Sequence, residues 1–107
     1  MSREERLAKN ESLFREVNER IAEAAKRTLV LPDAEFLCEC GRRDCLDRVV
    51  VPLDEYEAIR SHPDRFLLVV GHDQPEVDRV LDAGDAYVVV EKVGDARAVA
   101  EQLDPRA

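Results

Sequence analysis

The sequence predicts an α+β fold: a small three- to four-stranded sheet with short helices, a long amphipathic N-terminal helix and a metal-binding turn built from cysteines. Three observations carry this. No Gly or Pro interrupts the chain before Gly41 other than Pro32, and apolar residues recur at helical spacing ahead of that proline. Four later runs are short, apolar and bounded by turn residues, as strands are. All three cysteines fall in one stretch, Cys38-Glu-Cys40-Gly-Arg-Arg-Asp-Cys45. At 107 residues the chain can bury only a modest core, a size at which a metal staple contributes appreciably.

Residues 2–28 read as one helix. Ser2-Arg-Glu-Glu5 fits a capping box, and Leu7, Asn10, Phe14, Val17, Ile21 and Ala24 follow an a/d pattern over roughly three heptads. Glu5–Lys9, Glu11–Arg15, Glu16–Arg20 and Glu23–Arg27 are Glu-first pairs four residues apart, each worth about 0.2–0.5 kcal/mol. Such a helix either packs on its own domain, dimerises as a coiled coil with Asn10 setting register, or docks on another protein. The pattern alone does not choose. Pro32 stops the helix and biases Leu31 toward extended geometry.

Ala34–Cys38 reads as a strand entering the cysteine turn, and Leu46–Val51 as a β-branched strand stopped by Pro52. Leu53–Ser61 is expected to be a short helix, with Asp54 and Glu55 at its positive end. His62-Pro-Asp64 turns into Phe66–Val70, a continuous apolar run that suits a central strand or one covered on both faces. Asp73-Gln-Pro-Glu76 carries the marks of a helix start, with Asp73 as cap and Val77, Val80 and Leu81 on one face. Residues 75–82 are therefore expected to be helical, an irregular strand being the alternative. Ala86–Lys92 is a strand, and Asp95 caps a last helix through about Leu103. The organisation is a helical segment, 1–30, followed by a body of residues 31–107.

The formal charge of −8 is unevenly spread: residues 1–27 carry seven Lys or Arg against six Asp or Glu, and the remainder nine against eighteen. An acidic body without a basic stripe argues against nucleic acid and against anionic membrane surfaces. No apolar run approaches the ~18–20 residues of a membrane span, and the charged start is unlike a signal peptide. The expected compartment is the cytoplasm, where clustered cysteines serve as metal ligands more often than as disulfides.

Two thiols one residue apart face a common point only where the backbone bends sharply, and Gly41 permits that bend. Thiolates gathered this way suit Zn(II), with an iron–sulfur cluster as the alternative. Cys38, Cys40 and Cys45 are one ligand short of a tetrahedral structural site, and the chain offers only His62 and His72. If the strands flanking the turn and preceding His72 run parallel, His72 ends roughly 17–20 Å from the sulfurs, at ~3.3 Å per residue. Antiparallel strands return it to them. In the parallel case His62, at the end of the connecting helix, is the nearer ligand; His72 is favoured over it, and a histidine in a helix's last turn interacts with the dipole and needs no metal. Arg42, Arg43 and Arg48 would offset the negative charge of a Cys3His site, Glu39 and Asp44 would not, and backbone amides would donate to the sulfurs. Cys38 or Cys45 with His72 would also make a thiolate–imidazole pair. Nothing resembles an oxyanion hole or a phosphate-cradling glycine loop, so an enzyme is not expected. Asp54, Glu55 and Glu57, and Asp78, Asp82 and Asp85, read as solvated surface.

The turn, C-x-C-G-x3-C, resembles the zinc knuckle that follows the catalytic domain of SET-family methyltransferases. That likeness implies metal geometry and does not extend to methyltransferase activity. A broader one covers most of the chain. Asn10-Glu-Ser-Leu-Phe-Arg-Glu-Val-Asn-Glu-Arg20, the cysteine turn, Glu55-Tyr-Glu-Ala-Ile-Arg60, Pro63-x-Arg-Phe66, Gly71-His72 and Tyr87-Val-Val-Val-Glu-Lys92 look like a family of small uncharacterised bacterial proteins, mostly actinobacterial. The likeness implies one discrete domain, and its Gly-His pair favours His72 as the fourth ligand. Pro52 departs from the pattern, standing where a Thr helix cap is expected. The expected function is a non-enzymatic zinc-binding module with Cys38, Cys40, Cys45 and His72 as ligands. It would act through protein–protein contact along helix 2–28, with a different protein or as a homodimer. The alternative is a redox-responsive protein using an iron–sulfur cluster or oxidisable zinc thiolates.

Overall fold

The computed structural model describes residues 3–27, 33–42 and 44–106, the side chains of residues 4 and 5 excepted. The Ser2–Glu5 capping box, the Pro32 stop and Arg43 lie outside the described residues. The chain runs α1 (Arg3–Arg27), β1 (Asp33–Leu37), β2 (Arg48–Pro52), α2 (Leu53–Arg60), β3 (Arg65–Val69), β4 (Asp78–Ala83), β5 (Tyr87–Lys92) and α3 (Asp95–Gln102). The α+β class holds, but the strands form two antiparallel sheets instead of one: β1-β2, and β3-β5-β4.

The two ladders meet where β1 runs on into the cysteine turn. Glu39 donates its backbone N–H to Leu67 O at 2.8 Å, and its carboxylate accepts from Leu67 N at 3.0 Å. One residue thereby satisfies both backbone groups of Leu67 on the free edge of β3. The run Phe66–Leu68 is buried on both faces, as its apolar sequence requires, although β3 is an edge of its ladder and not its centre. Leu67 joins a core with Phe36, Val49, Val51 and Tyr56, whose ring stacks on Phe36 at 4.1 Å. Phe66 and Leu68 point the other way, into a second core with the three cysteines, Val88 and Val90.

α1, about 37 Å long at 1.5 Å per residue, packs on β1, α2 and α3. Its buried face is not the a/d seam. Fully or nearly buried positions are Ala8, Glu11, Ser12, Arg15, Asn18 and Ala22, whereas Leu13 and Val17 are exposed. Polar side chains seat this helix. Asn18 accepts from Leu37 N at 2.8 Å and donates to Leu37 O and to the Glu39 carboxylate. Arg15 donates to the carbonyls of Pro63 and Ala100. Glu11 pairs with Lys92, so the expected Glu11–Arg15 pair does not form. The Asn18 amide acts as one more strand residue along the free edge of β1.

Residues 75–82 are not helical. A single turn forms, with Val77 N and Asp78 N donating to Gln74 O, and Asp78 rather than Asp73 accepts from Gln74 N at 2.8 Å. The chain then becomes β4, because Asp78 is held by Lys92 and Val80 pairs with Val90 across the ladder. A register shift between Val80 and Asp82 makes β4 the irregular strand. α2 starts directly after Pro52 without a side-chain cap. α3 is preceded by Gly94 at φ +63, not capped by Asp95, which is its first residue.

Asn18→Ala should cost about 2–4 kcal/mol in urea unfolding, since it strands buried partners on Leu37 and Glu39. Leu13→Ala on the same helix should stay within about 0.5 kcal/mol. Equal losses would mean that the faces are wrongly assigned.

Candidate metal centre

Each candidate ligand is placed by a local backbone device. Cys38 follows β1, its N–H still paired with Asp47 O at 2.9 Å, so the hairpin extends one residue past the ladder. Gly41 sits at φ +76, a region open to glycine at little cost, and a tight turn closes with Cys45 N on Arg42 O at 3.1 Å. A Cβ at Gly41 would stand 2.6 Å from Glu11 Cγ and 3.0 Å from Leu7 O, so α1 lies directly against the turn. Beyond β3, Gly71 at φ +86 and a 3.0 Å bond from His72 N to Val69 O reverse the chain. This aims the His72 ring back at the sulfurs.

The four ligand atoms of Cys38, Cys40, Cys45 and His72 lie within 4.8 Å of one another. His72 Nδ1 is 3.5 Å from Cys38 Sγ and 3.6 Å from Cys45 Sγ. Zn–S near 2.3 Å and Zn–N near 2.0–2.1 Å at tetrahedral angles separate S from N by about 3.5 Å, so the spacing fits such an ion. All three thiols are free and buried. His62 is exposed at the end of α2 and takes no part in the cluster. β2 and β3 lie in different sheets and do not pair, so strand direction between them does not decide where His72 falls. His72 reaches the sulfurs because the continuation of β1 runs beside β3.

The sulfurs are solvated by backbone. Arg42 N–H serves Cys40 and Asp47 N–H serves Cys45, each two residues on, while Cys38 accepts from Cys40 N–H and from Val69 N–H at 3.1 Å. The Cys38 thiol, donating to Cys40, lowers Cys40 to about 5, and this same bond, with burial, pushes Cys38 up. Burial raises Cys45. A dication would favour the thiolate form of all three cysteines, against the burial that raises Cys38 and Cys45. On the far side of the ring, His72 Nε2 lies 3.6 Å from Asp47 Oδ2, longer than a hydrogen bond but on the side from which a carboxylate would orient a ligating imidazole if the contact tightened.

Of the charges expected to flank the site, Arg48 is paired with Glu35 at 3.3 Å instead. Glu39 turns away from the sulfurs and is fully buried, and burial raises its pKa against the pull of Asn18, Leu67 N and Tyr56. Glu57 pairs with Lys26 and Arg106, and Asp78 is buried on Lys92; Asp54, Glu55, Asp82 and Asp85 are exposed. Asn18, Glu39 and Asp47 are the supporting residues that pattern reading missed. The signal for Glu39 was its place between two inward-facing cysteines, since alternation along an extended segment sends the intervening side chain to the opposite, interior face. Comparison with family models, with curated proteins and with solved structures finds no match to this chain.

Gly41→Ala should lower stability by about 2–4 kcal/mol, combining a strained positive φ with collision against α1. Thermal unfolding of the metal-loaded protein reads this out, and a neutral result would show that helix and turn are not in contact.

Proposed function

We propose that Cys38, Cys40, Cys45 and His72 bind one Zn(II) as a closed structural centre, and that the protein is a non-enzymatic module. The observation that carries this is the convergence of three sulfurs and Nδ1 at spacings that fit a tetrahedral ion. Four protein ligands leave no position for a reactive water, so the ion's contribution is to folding. It would tie the end of β1, the start of β2 and the turn after β3 to one point. Contact with a protein partner, or with a second copy, would use what α1 leaves open: Leu13 and Val17, 59% and 39% exposed, flanked by Glu16 and Arg20. Ile21 of the a/d seam packs against the protein's own core, and Leu7 does so only in part.

Elemental analysis should find one zinc per chain in colourless protein, and chelation at neutral pH should sharply lower the melting temperature. His72→Ala should weaken zinc binding beyond the about 100-fold that loss of a supporting group produces, while His62→Ala leaves it unchanged. A visible charge-transfer band with iron and sulfide, or a melting curve indifferent to chelator, would overturn the proposal.

A further inference from the structure

A cleft of about 550 Å³ opens where the first turns of α1 meet the cysteine turn. α1 contributes Arg3, Arg6, Leu7 and Asn10 to its walls, the turn contributes Gly41 and Arg42, and Gln74 closes one side. Among the described residues that line it, three are arginines and none is an acid, in a chain of formal charge −8. Arg3 is held at the rim by Glu76 at 2.9 Å and by Gln74 at 3.4 Å. Elsewhere Arg48, Arg60, Arg79, Arg97 and Arg106 each find a carboxylate. Arg6 and Arg42, exposed on the two elements that form the cleft, meet none among the described residues.

We infer that this cleft binds a small phosphorylated compound, with Arg6 and Arg42 on its phosphate. Two guanidinium forks, with the amides of Asn10 and Gln74, offer more donors and charge than one carboxylate can use. The three terminal oxygens and double charge of a phosphomonoester match them. The volume falls in the range of small-molecule sites and exceeds what a bare anion fills, leaving Leu7 to meet the organic part. The inference is independent of which metal occupies the neighbouring cluster.

The test is a titration of the metal-loaded, ¹⁵N-labelled full chain with inorganic phosphate and with glycerol 2-phosphate at constant ionic strength. Saturable shifts should gather on the amides of Arg6, Asn10, Gly41, Arg42 and Gln74, with the ester binding at least as tightly as phosphate. Arg6→Ala and Arg42→Ala should each weaken binding about tenfold. Both should keep a dispersed spectrum and their metal, and Arg79→Ala, on the far strand, should change nothing. Shifts that fail to saturate or spread over the surface, exclusion of the ester, an equal response to acetate, or no loss in Arg6→Ala would each overturn the inference.

Discussion

Glu39 has to be sealed from water because the residues on either side of it must face one point. With Cys38 and Cys40 turned to the cluster, the intervening side chain enters the space between the two sheets. A carboxylate there is costly unless its oxygens are hydrogen-bonded. Asn18 supplies a donor from α1 at 2.7 Å, Tyr56 one from α2 at 2.8 Å and Leu67 one from β3. One buried group thus sets the mutual position of the long helix, the short helix and both sheets. The geometry of the sulfurs and the geometry of the core are a single constraint.

The seam between α1 and the body repeats this logic. Lys92 is enclosed by Glu11 and Asp78 with its Nζ 5.1 Å from the Phe66 ring centre, and Arg15 crosses the same ring at 4.2 Å. Burial draws Lys92 down to about 7 and lifts Asp78 to about 6, the opposed directions expected of a pair removed from water. Arg60, also fully buried, joins Glu19 to Asp104, and Arg106 returns to Glu19 and Glu57. Each of these groups has one set of partners. A helix seated on apolar surface alone can slide by a residue or rotate; one seated on Asn18, Glu11 and Arg15 cannot without leaving buried charge unpaired.

Much of this was legible. The helix, the strands before and after the cysteines, the apolar run of β3 and the Tyr87–Lys92 strand appear within a residue or two of their expected limits, and His72 joins the sulfurs. What was not legible depends on tertiary contacts. The a/d pattern of α1 is real in sequence, yet the helix buries the adjacent polar stripe, because its anchors are hydrogen bonds and not apolar area. Residues 75–82 carry a helix signature of Asp, Pro and Glu that is overridden once Asp78 finds Lys92 and Val80 finds Val90. Nothing local announces that β1-β2 and β3-β5-β4 are separate ladders. That division follows from Glu39 occupying the edge of β3, where a neighbouring strand would otherwise sit.

α1 precedes in sequence the groups that lock it in place, by 81 to 87 residues. Arg15 closes on the carbonyl of Ala100, Glu11 on Lys92, and Glu19 on Arg106. On the ribosome, the finished helix can meet Leu37 and Glu39 through Asn18 early, but it is not locked until Lys92, Ala100 and Arg106 have emerged. Its few exposed leucines and valines and its many charges suit a segment that must wait in water, soluble, for the rest to arrive.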